Sequence, residues 1–586
     1  MTPNGSPPGA DADSDADADL DFPAANIAPV EQLGSALGTT LGPVSMDKLI
    51  VDPADPSDEA DPARPAVDDV TVTNDGATIL DTLPMAHPVA TIVERVVGPE
   101  RPGETDVEGK DIHEGITTTV VVTAALLSEA RRLLELGVHP QTIRQGYEHG
   151  LDAARGAIDR ERRAIEDFED PQAAKRSVAR TAMTGNAVGN ASERWIDFAL
   201  DAVDHVGVPD EHTFLVRETS AGAIDDARFV KGTVLNRNEI THDAMPTRIE
   251  DADVLILGGH GTGRLGDRKP NRKSSVSSVE LESADQLRAH EDAEYRRKER
   301  IVDRIESLGT DVVVTRLGVD SEFQELFVHR EIATVRRVTQ RNIRALARAT
   351  GATIVQDVGD LSSEYLGRAG LVEQLTMAAT YPDRRKTRRM IVFDDCLDPG
   401  SVSVLLTGLQ RHVGAQATRQ IRKAAKSVAL AVGEGTDLPG VVPGAGAIQL
   451  SVADAVRNRP ATDSKSQLAV EAYADAVESV VGHLVTNAGH DQLSVVPDLR
   501  TAREAGETAV GFVLAEGEIQ NSVEAGVLDP AATVRRGLVV ATQVANAIVT
   551  IDDALDAVDL SEKRDPDDVI YDDQAKKTEA HLEEES

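Results

Sequence analysis

The sequence predicts a multidomain protein of mixed class, α plus α/β, in which a helical domain is discontinuous and an α/β domain is inserted between its halves. Three observations predict it. The chain has 586 residues, beyond what one hydrophobic core usually serves, so length alone implies about three or four domains at roughly 150 residues each. Apolar residues recur at helical spacing from "IAPVEQLGSALGTTLG" to about Leu151, and again from "GAIQLSVADAVRN" to "ANAIVTIDDALDAV". Between these regions, "ADVLILGG", "DVVVTRLG" and "EIATVRRV" are short β-branched runs that alternate with the helical segments "QELFVHRE" and "NIRALARATG". That alternation marks an α/β module of about 170 residues.

Taken in chain order, residues 1–22 and 566–586 are charged and of low complexity, and read as disordered tails. The N-terminal one has neither a basic nor an apolar segment of an export signal. "VTVTNDGATIL" alternates like a β-hairpin with Asn74, Asp75 and Gly76 at its turn. Two Pro- and acid-rich stretches, "DPADPSDEADPARPAVDD" and "GPERPGETDVEGK", read as loops. In "VLILGGHGTGRLG", Gly261, Gly263 and Gly266 have dinucleotide-loop spacing, but "DRKPNRKSSVSSVE" follows where a helix is required, so a surface loop is expected. The histidines, among them His87, His139 and His149, have no metal-binding spacing. Paired acids at Asp394–Asp395 and Asp552–Asp553 sit where elements end and read as caps or solvated corners. The single Cys396 excludes an internal disulfide and reads as a buried apolar filler, consistent with a reducing cytoplasm.

Net charge is −39, with acids spread along the whole chain. Such a surface repels nucleic acid and anionic membrane, and no apolar run is long enough to span a bilayer. Acidity together with 3% aromatics and scarce Lys is the pattern expected of a protein kept soluble in concentrated salt, where hydrated carboxylates persist although Coulomb forces are screened.

"KDIHEGITTTVVVTAALL", Lys110–Leu127, sets a Gly and a Thr run directly ahead of a helix. Free backbone N–H groups, hydroxyls and the carboxylate of Glu114 are the parts that hold phosphates around a hydrated cation. An ordinary capped helix would show the same residues.

The order and spacing of "LGPVSMDKL", "TNDGATIL", "HEGITTT", "VVPGAGAIQL" and "AGVLDP" resemble the group II chaperonins, the family of the archaeal thermosome and the eukaryotic cytosolic chaperonin. "AHPVATIV", "GVHPQTIRQGYEHGLDAA", "TAMTGN", "LVRETSAGAIDDARFVKGTVL", "QLAVEAYADAVESV" and "LVTNAGHD" extend the likeness over about Ile27–Leu560. The resemblance implies an equatorial nucleotide-binding domain (23–165 and 441–565), a two-part intermediate hinge (166–232 and 410–440) and an apical α/β domain (233–409) that grips non-native protein. "SADQLRAHEDAEYRRKERIVDRIESLG" would include the helical protrusion that closes the ring. It further implies ATP or ADP with Mg²⁺ as cofactors, and as partners non-native clients and other chaperonin subunits in a homo- or hetero-oligomeric double ring.

Residue by residue, the family's LGPKG loop is matched by Leu41, Gly42 and Pro43, with Val44 and Ser45 departing. Asp75 matches the aspartate that helps align the attacking water, and Gly76 follows it. The Mg²⁺-binding GDGTT stands as "HEGIT", with Glu114 in the metal position, Gly115 retained, and Thr117 and Thr118 matching phosphate-contacting threonines. Gly444 and Gly446 match the late glycine turn, whose middle residue is Ala445; Asn487 and Asp529 match base- and ribose-contacting positions. Two charged partners are missing: Asn186 stands for the family Lys, and Ser427 for the catalytic Asp. The expectation is a retained nucleotide shell with impaired hydrolysis.

Overall fold

A computed structural model of the chain describes residues 22–51, 70–83, 87–97, 115–184, 192–236, 238–258, 265, 284–378, 387–397, 399–459, 464–514 and 517–551. The first part comprises α1 (Phe22–Gly38), β1 (Lys48–Val51), β2 (Val70–Thr73), α2 (Gly76–Thr82), α3 (Pro88–Val97), α4 (Ile116–Glu135) and α5 (Pro140–Glu161). It is followed by α6 (Pro171–Met183), α7 (Ser192–Val206), β3 (Phe214–Glu218) and β4 (Arg228–Val230). The inserted part holds β5 (Thr233–Asn236), β6 (Arg248–Leu257), α8 (Ala284–Glu306), β7 (Val312–Thr315), α9 (Ser321–His329), β8 (Ala333–Val335), α10 (Gln340–Thr350), β9 (Ile354–Val355), β10 (Gly367–Ala378) and β11 (Thr387–Asp394). The return consists of β12 (Val402–Leu406) and α11 (Arg411–Val432), then β13 (Val441–Pro443), α12 (Ala447–Arg457), α13 (Ser464–Asn487), α14 (Gln492–Glu504), β14 (Val510–Val513), β15 (Glu518–Asn521), β16 (Leu528–Pro530) and α15 (Ala531–Val549).

Three main cores follow from this order. The first joins both chain ends: Val120, Leu126 and Ile143 pack with Val452, Val477 and Ile548. Two fully buried tyrosines bind its helices together. The Tyr147 hydroxyl on α5 donates to the Leu126 carbonyl of α4 at 2.6 Å, and the Tyr473 hydroxyl of α13 meets that of Thr542 on α15 at 3.1 Å. Their rings meet edge to face, so each buries a large apolar body without orphaning its polar tip.

The second core lies under the seven-stranded sheet β5-β11-β10-β6-β7-β8, with β9 beside β6. Strands β6, β7 and β8 run parallel and are almost wholly apolar where both faces are covered, as in Val312–Val314. The C-terminal end of α8 is anchored: Val302 and Ile305 are buried, and Lys298 bridges Asp320 and Glu322 at 2.8 Å each.

The third core connects the other two, gathering Trp195, Phe214, Ile421 and Val428. Strand β12, which the sequence reading puts with residues 233–409, packs here because it pairs with β3 in parallel and β4 in antiparallel. Chain reversal is closed by β13 pairing with β16.

The "VTVTNDGATIL" stretch is not a hairpin. Strand β2 ends at Thr73, and Asp75 begins α2 by accepting the Thr78 N–H at 3.0 Å and its hydroxyl at 2.7 Å. Ile79 and Leu80 are then buried one turn on, so a side-chain cap plus helical burial displaces the turn. The strand partner of β2 is β1 instead. The Gly261–Gly266 loop lies outside the described residues. Cys396 is buried as expected, and burial raises its thiol to about 12.

Buried Glu478 on α13 is held by Arg500 at 2.5 and 2.6 Å and by Arg457. Burial alone would raise its carboxyl, but the hydrogen bonds from Arg500 and Arg457 overcome this and hold it below the ordinary value. Glu478→Gln is expected to cost about 1–3 kcal/mol in denaturant unfolding at pH 7, since Arg500 loses its counter-charge while Arg457 keeps Asp475 at 2.8 Å. Because the native pKa is depressed, that stabilisation is full above the unfolded value near 4.3 and is lost as pH falls through the native one. A mutant deficit as large at pH 3 as at pH 7 would contradict this.

Candidate functional site

A cavity of about 180 Å³ opens where the first and third cores meet. The N-terminus of α4 contributes Gly115, Thr118 and Thr119; α11 contributes Lys423 and Ser427; α12 contributes Gln449; and the β16–α15 junction contributes Asp529 and Thr533.

Gly115 occupies the left-handed region at φ 76° and begins α4 with no side-chain cap. A capping side chain is therefore absent, and the first-turn N–H groups of Ile116, Thr117 and Thr118 have no intrahelical acceptor. They carry the positive end of a 20-residue helix. A β-carbon at position 115 would also lie 3.1 Å from Thr533 Cγ2. Gly76 lies against the same turn: its β-carbon would sit 2.3 Å from Thr117 Oγ1. Close approach between α2 and α4 thus requires glycine there, and brings Asp75 beside the Thr run.

Asp529 is half-buried at the cavity wall, and burial raises its carboxyl to about 6 against the opposing field of Lys423. Ser427 is 1% exposed. Thr533 Oγ1 and Gln449 Oε1 are buried without a hydrogen-bond partner. Two orphaned polar atoms in the lining and first-turn N–H groups without an intrahelical acceptor fit a polar, anionic ligand, since native interiors leave few such groups unpaired.

Of the residues singled out in the sequence, Gly115, Thr118, Ser427 and Asp529 line the cavity together. Gly444 supports it from behind, where its β-carbon would meet Asp529 Oδ2 at 3.1 Å. Gly446 begins α12 at φ 84°, and Ala445 holds φ 55° without being glycine. Leu41, Gly42 and Pro43 form a separate loop, with Gly42 at φ 89°. Asn487 does not line the cavity; its side-chain amide donates to the Gly38 and Leu41 carbonyls at 2.8 Å each and so braces that loop. Glu114 and Asn186 lie outside the described residues. Among the described residues no cluster of three metal-ligating side chains occurs, and no helix is long and apolar enough to cross a membrane.

Sequence reasoning missed Lys423, Gln449 and Thr533. Lys423 had a usable signal, since it precedes Ser427 by one helical turn and so shares its face of α11. Gln449 and Thr533 follow the two late motifs by only a few residues, but nothing in their types marks them.

With this geometry in place, the comparisons are consistent. The sequence model of the TCP-1/cpn60 chaperonin family matches residues 33–559, and the chain belongs to that family. It is similar to a thermosome subunit of Methanopyrus kandleri, 31% identical over 92% of this chain and 93% of the relative. It is likewise similar to the thermosome subunit beta of Aeropyrum pernix, 33% identical over 91% of each. A third similar protein is the thermosome subunit alpha of Halobacterium salinarum, 30% identical over 92% of this chain and 89% of the relative. Within the family, the chain is a group II chaperonin.

Proposed function

We propose that this chain is a ring-forming chaperonin subunit that holds ATP or ADP with Mg²⁺ in the cavity, binds non-native protein, and turns the nucleotide over slowly or not at all. The terminal helical core serves as the equatorial domain, the connecting core as the intermediate hinge, and the inserted sheet as the apical domain with α8 as the base of its protrusion. Gly115, Thr117, Thr118 and the α4 N-terminus would hold phosphates, Glu114 would serve the metal, and Asp529 with Gly444 and Gly446 would border the nucleoside. Bound Mg²⁺ would neutralise phosphate charge and orient the terminal phosphoryl group.

The observation that carries slow turnover is the α11 wall. Among the described lining residues Asp529 is the one carboxylate, while α11 presents Lys423 and Ser427, neither of which is a base near neutral pH. Asp75, the remaining candidate, is engaged in capping α2.

The acidic, Lys-poor surface suits work in the cytoplasm of a salt-accumulating cell, in a homo- or hetero-oligomeric double ring in which fully active subunits would supply the power stroke. The test uses purified chain in multimolar KCl. A saturable Mg-ATP-dependent thermal shift, ring particles by electron microscopy and little phosphate release are expected. Phosphate release at the rate of an active chaperonin would establish instead a fully competent folding machine. Absence of any Mg-nucleotide shift would leave a nucleotide-independent scaffold or holdase.

A further inference from the structure

From the cavity walls we infer that Lys423 is a phosphate-contacting residue of this chain, the side chain that makes its nucleotide affinity depend on polyphosphate charge. This rests on the nucleotide reading above.

Lys423 lines the cavity together with Gly115 and Thr118, so it shares that space with the helix N-terminus where an anionic group would dock. It is the one cationic side chain among the described lining residues, and Asp529 the one anionic. A nucleoside triphosphate entering this space brings several negative charges beside the half-buried carboxylate of Asp529. The α4 terminus offers about half a unit of positive charge and bound Mg²⁺ would offset part of the rest, so a cationic side chain in the lining adds to the balance that favours the more highly charged nucleotide.

Position on α11 gives Lys423 the reach. Ser427, one turn further along the same face, is buried at the cavity wall, whereas Lys423 is exposed at its rim. A flexible four-carbon stem ending in a rotatable ammonium can follow a phosphate from the rim inward. In the structure the same charge acts on Asp529; a bound polyphosphate would compete for it. Since α11 belongs to the connecting core and α4 to the terminal one, the contact also ties the ligand to two separate bodies. The chemistry selects for phosphate count and leaves the base unread.

The inference is tested by measuring dissociation constants of Mg-ATP, Mg-ADP and AMP for the full chain by calorimetry in high KCl. Wild type is expected to bind in the order ATP, ADP, AMP. In Lys423→Gln, ATP affinity is expected to fall about 10- to 100-fold, the usual worth of a hydrogen bond to a charged group, with AMP least affected. Lys423→Arg should retain most of the preference, and Lys426→Gln, which removes the same charge from α11 outside the cavity lining, should retain all of it. Equal ATP-to-AMP ratios in wild type and Lys423→Gln would overturn the role of Lys423 while leaving nucleotide binding intact. An equal loss in Lys426→Gln would also overturn it, by showing a long-range field in place of a contact. Failure of the wild type to bind any of the three would overturn the nucleotide reading itself, and this inference with it.

Discussion

Ser427→Asp combined with Asn186→Lys is expected to raise Mg-ATP-dependent phosphate release by about 10²- to 10⁴-fold, the usual contribution of one positioned base. Position 427 is on the cavity wall with Gly115 and Thr118, so a carboxylate there has access to water near the docking end of α4. The lysine would contribute by stabilising charge on the transferring phosphoryl group. Lys423, one turn before position 427, would pair with the new carboxylate and make it a weaker base. The gain should therefore be larger when Lys423→Gln is added under saturating nucleotide. No gain in either background would show that position 427 does not stand where a base is required.

Asp529→Asn is expected to stabilise the nucleotide-free chain by up to about 3 kcal/mol at pH 8, from the rise of its carboxyl to about 6 at about 1.4 kcal/mol per unit. Its native pKa lies above the unfolded one, so the folded chain binds the proton more tightly. The penalty of keeping it charged is absent below about 4, grows through the window between, and is complete above about 6. The stabilisation should accordingly fade between pH 7 and pH 5 in denaturant unfolding, and the variant should bind nucleotide more weakly. An advantage that is the same at pH 5 and pH 8 would assign the effect to packing. An advantage that fades would mark Asp529 as a side chain kept for a ligand at the expense of the nucleotide-free fold.

Part of this was legible in the chain itself, because helical periodicity at both ends and β-branched runs between them are local signals. The Gly115–Thr118 stretch, Ser427 and Asp529 were also named from local motifs, and they line one cavity. What failed was competition between local options. Asn74–Gly76 suits both a hairpin turn and a helix start, and the burial of Ile79 and Leu80 chose the second. The amide of Asn487 braces two carbonyls of the Leu41 loop, a contact between chain ends that no local motif announces.

By itself, then, the sequence determined the split helical domain with its α/β insertion, the glycine and threonine turn that opens α4, and the absence of a carboxylate at position 427. All of these depend on residue type and spacing within a few turns of chain. Only the tertiary structure decided that β12 pairs with β3, that burial raises Asp529 to about 6, and that Lys423 and Gly115, far apart in the chain, line one cavity. Burial, charge balance and cavity walls are sums over elements far apart in sequence, and they exist only once those elements have packed.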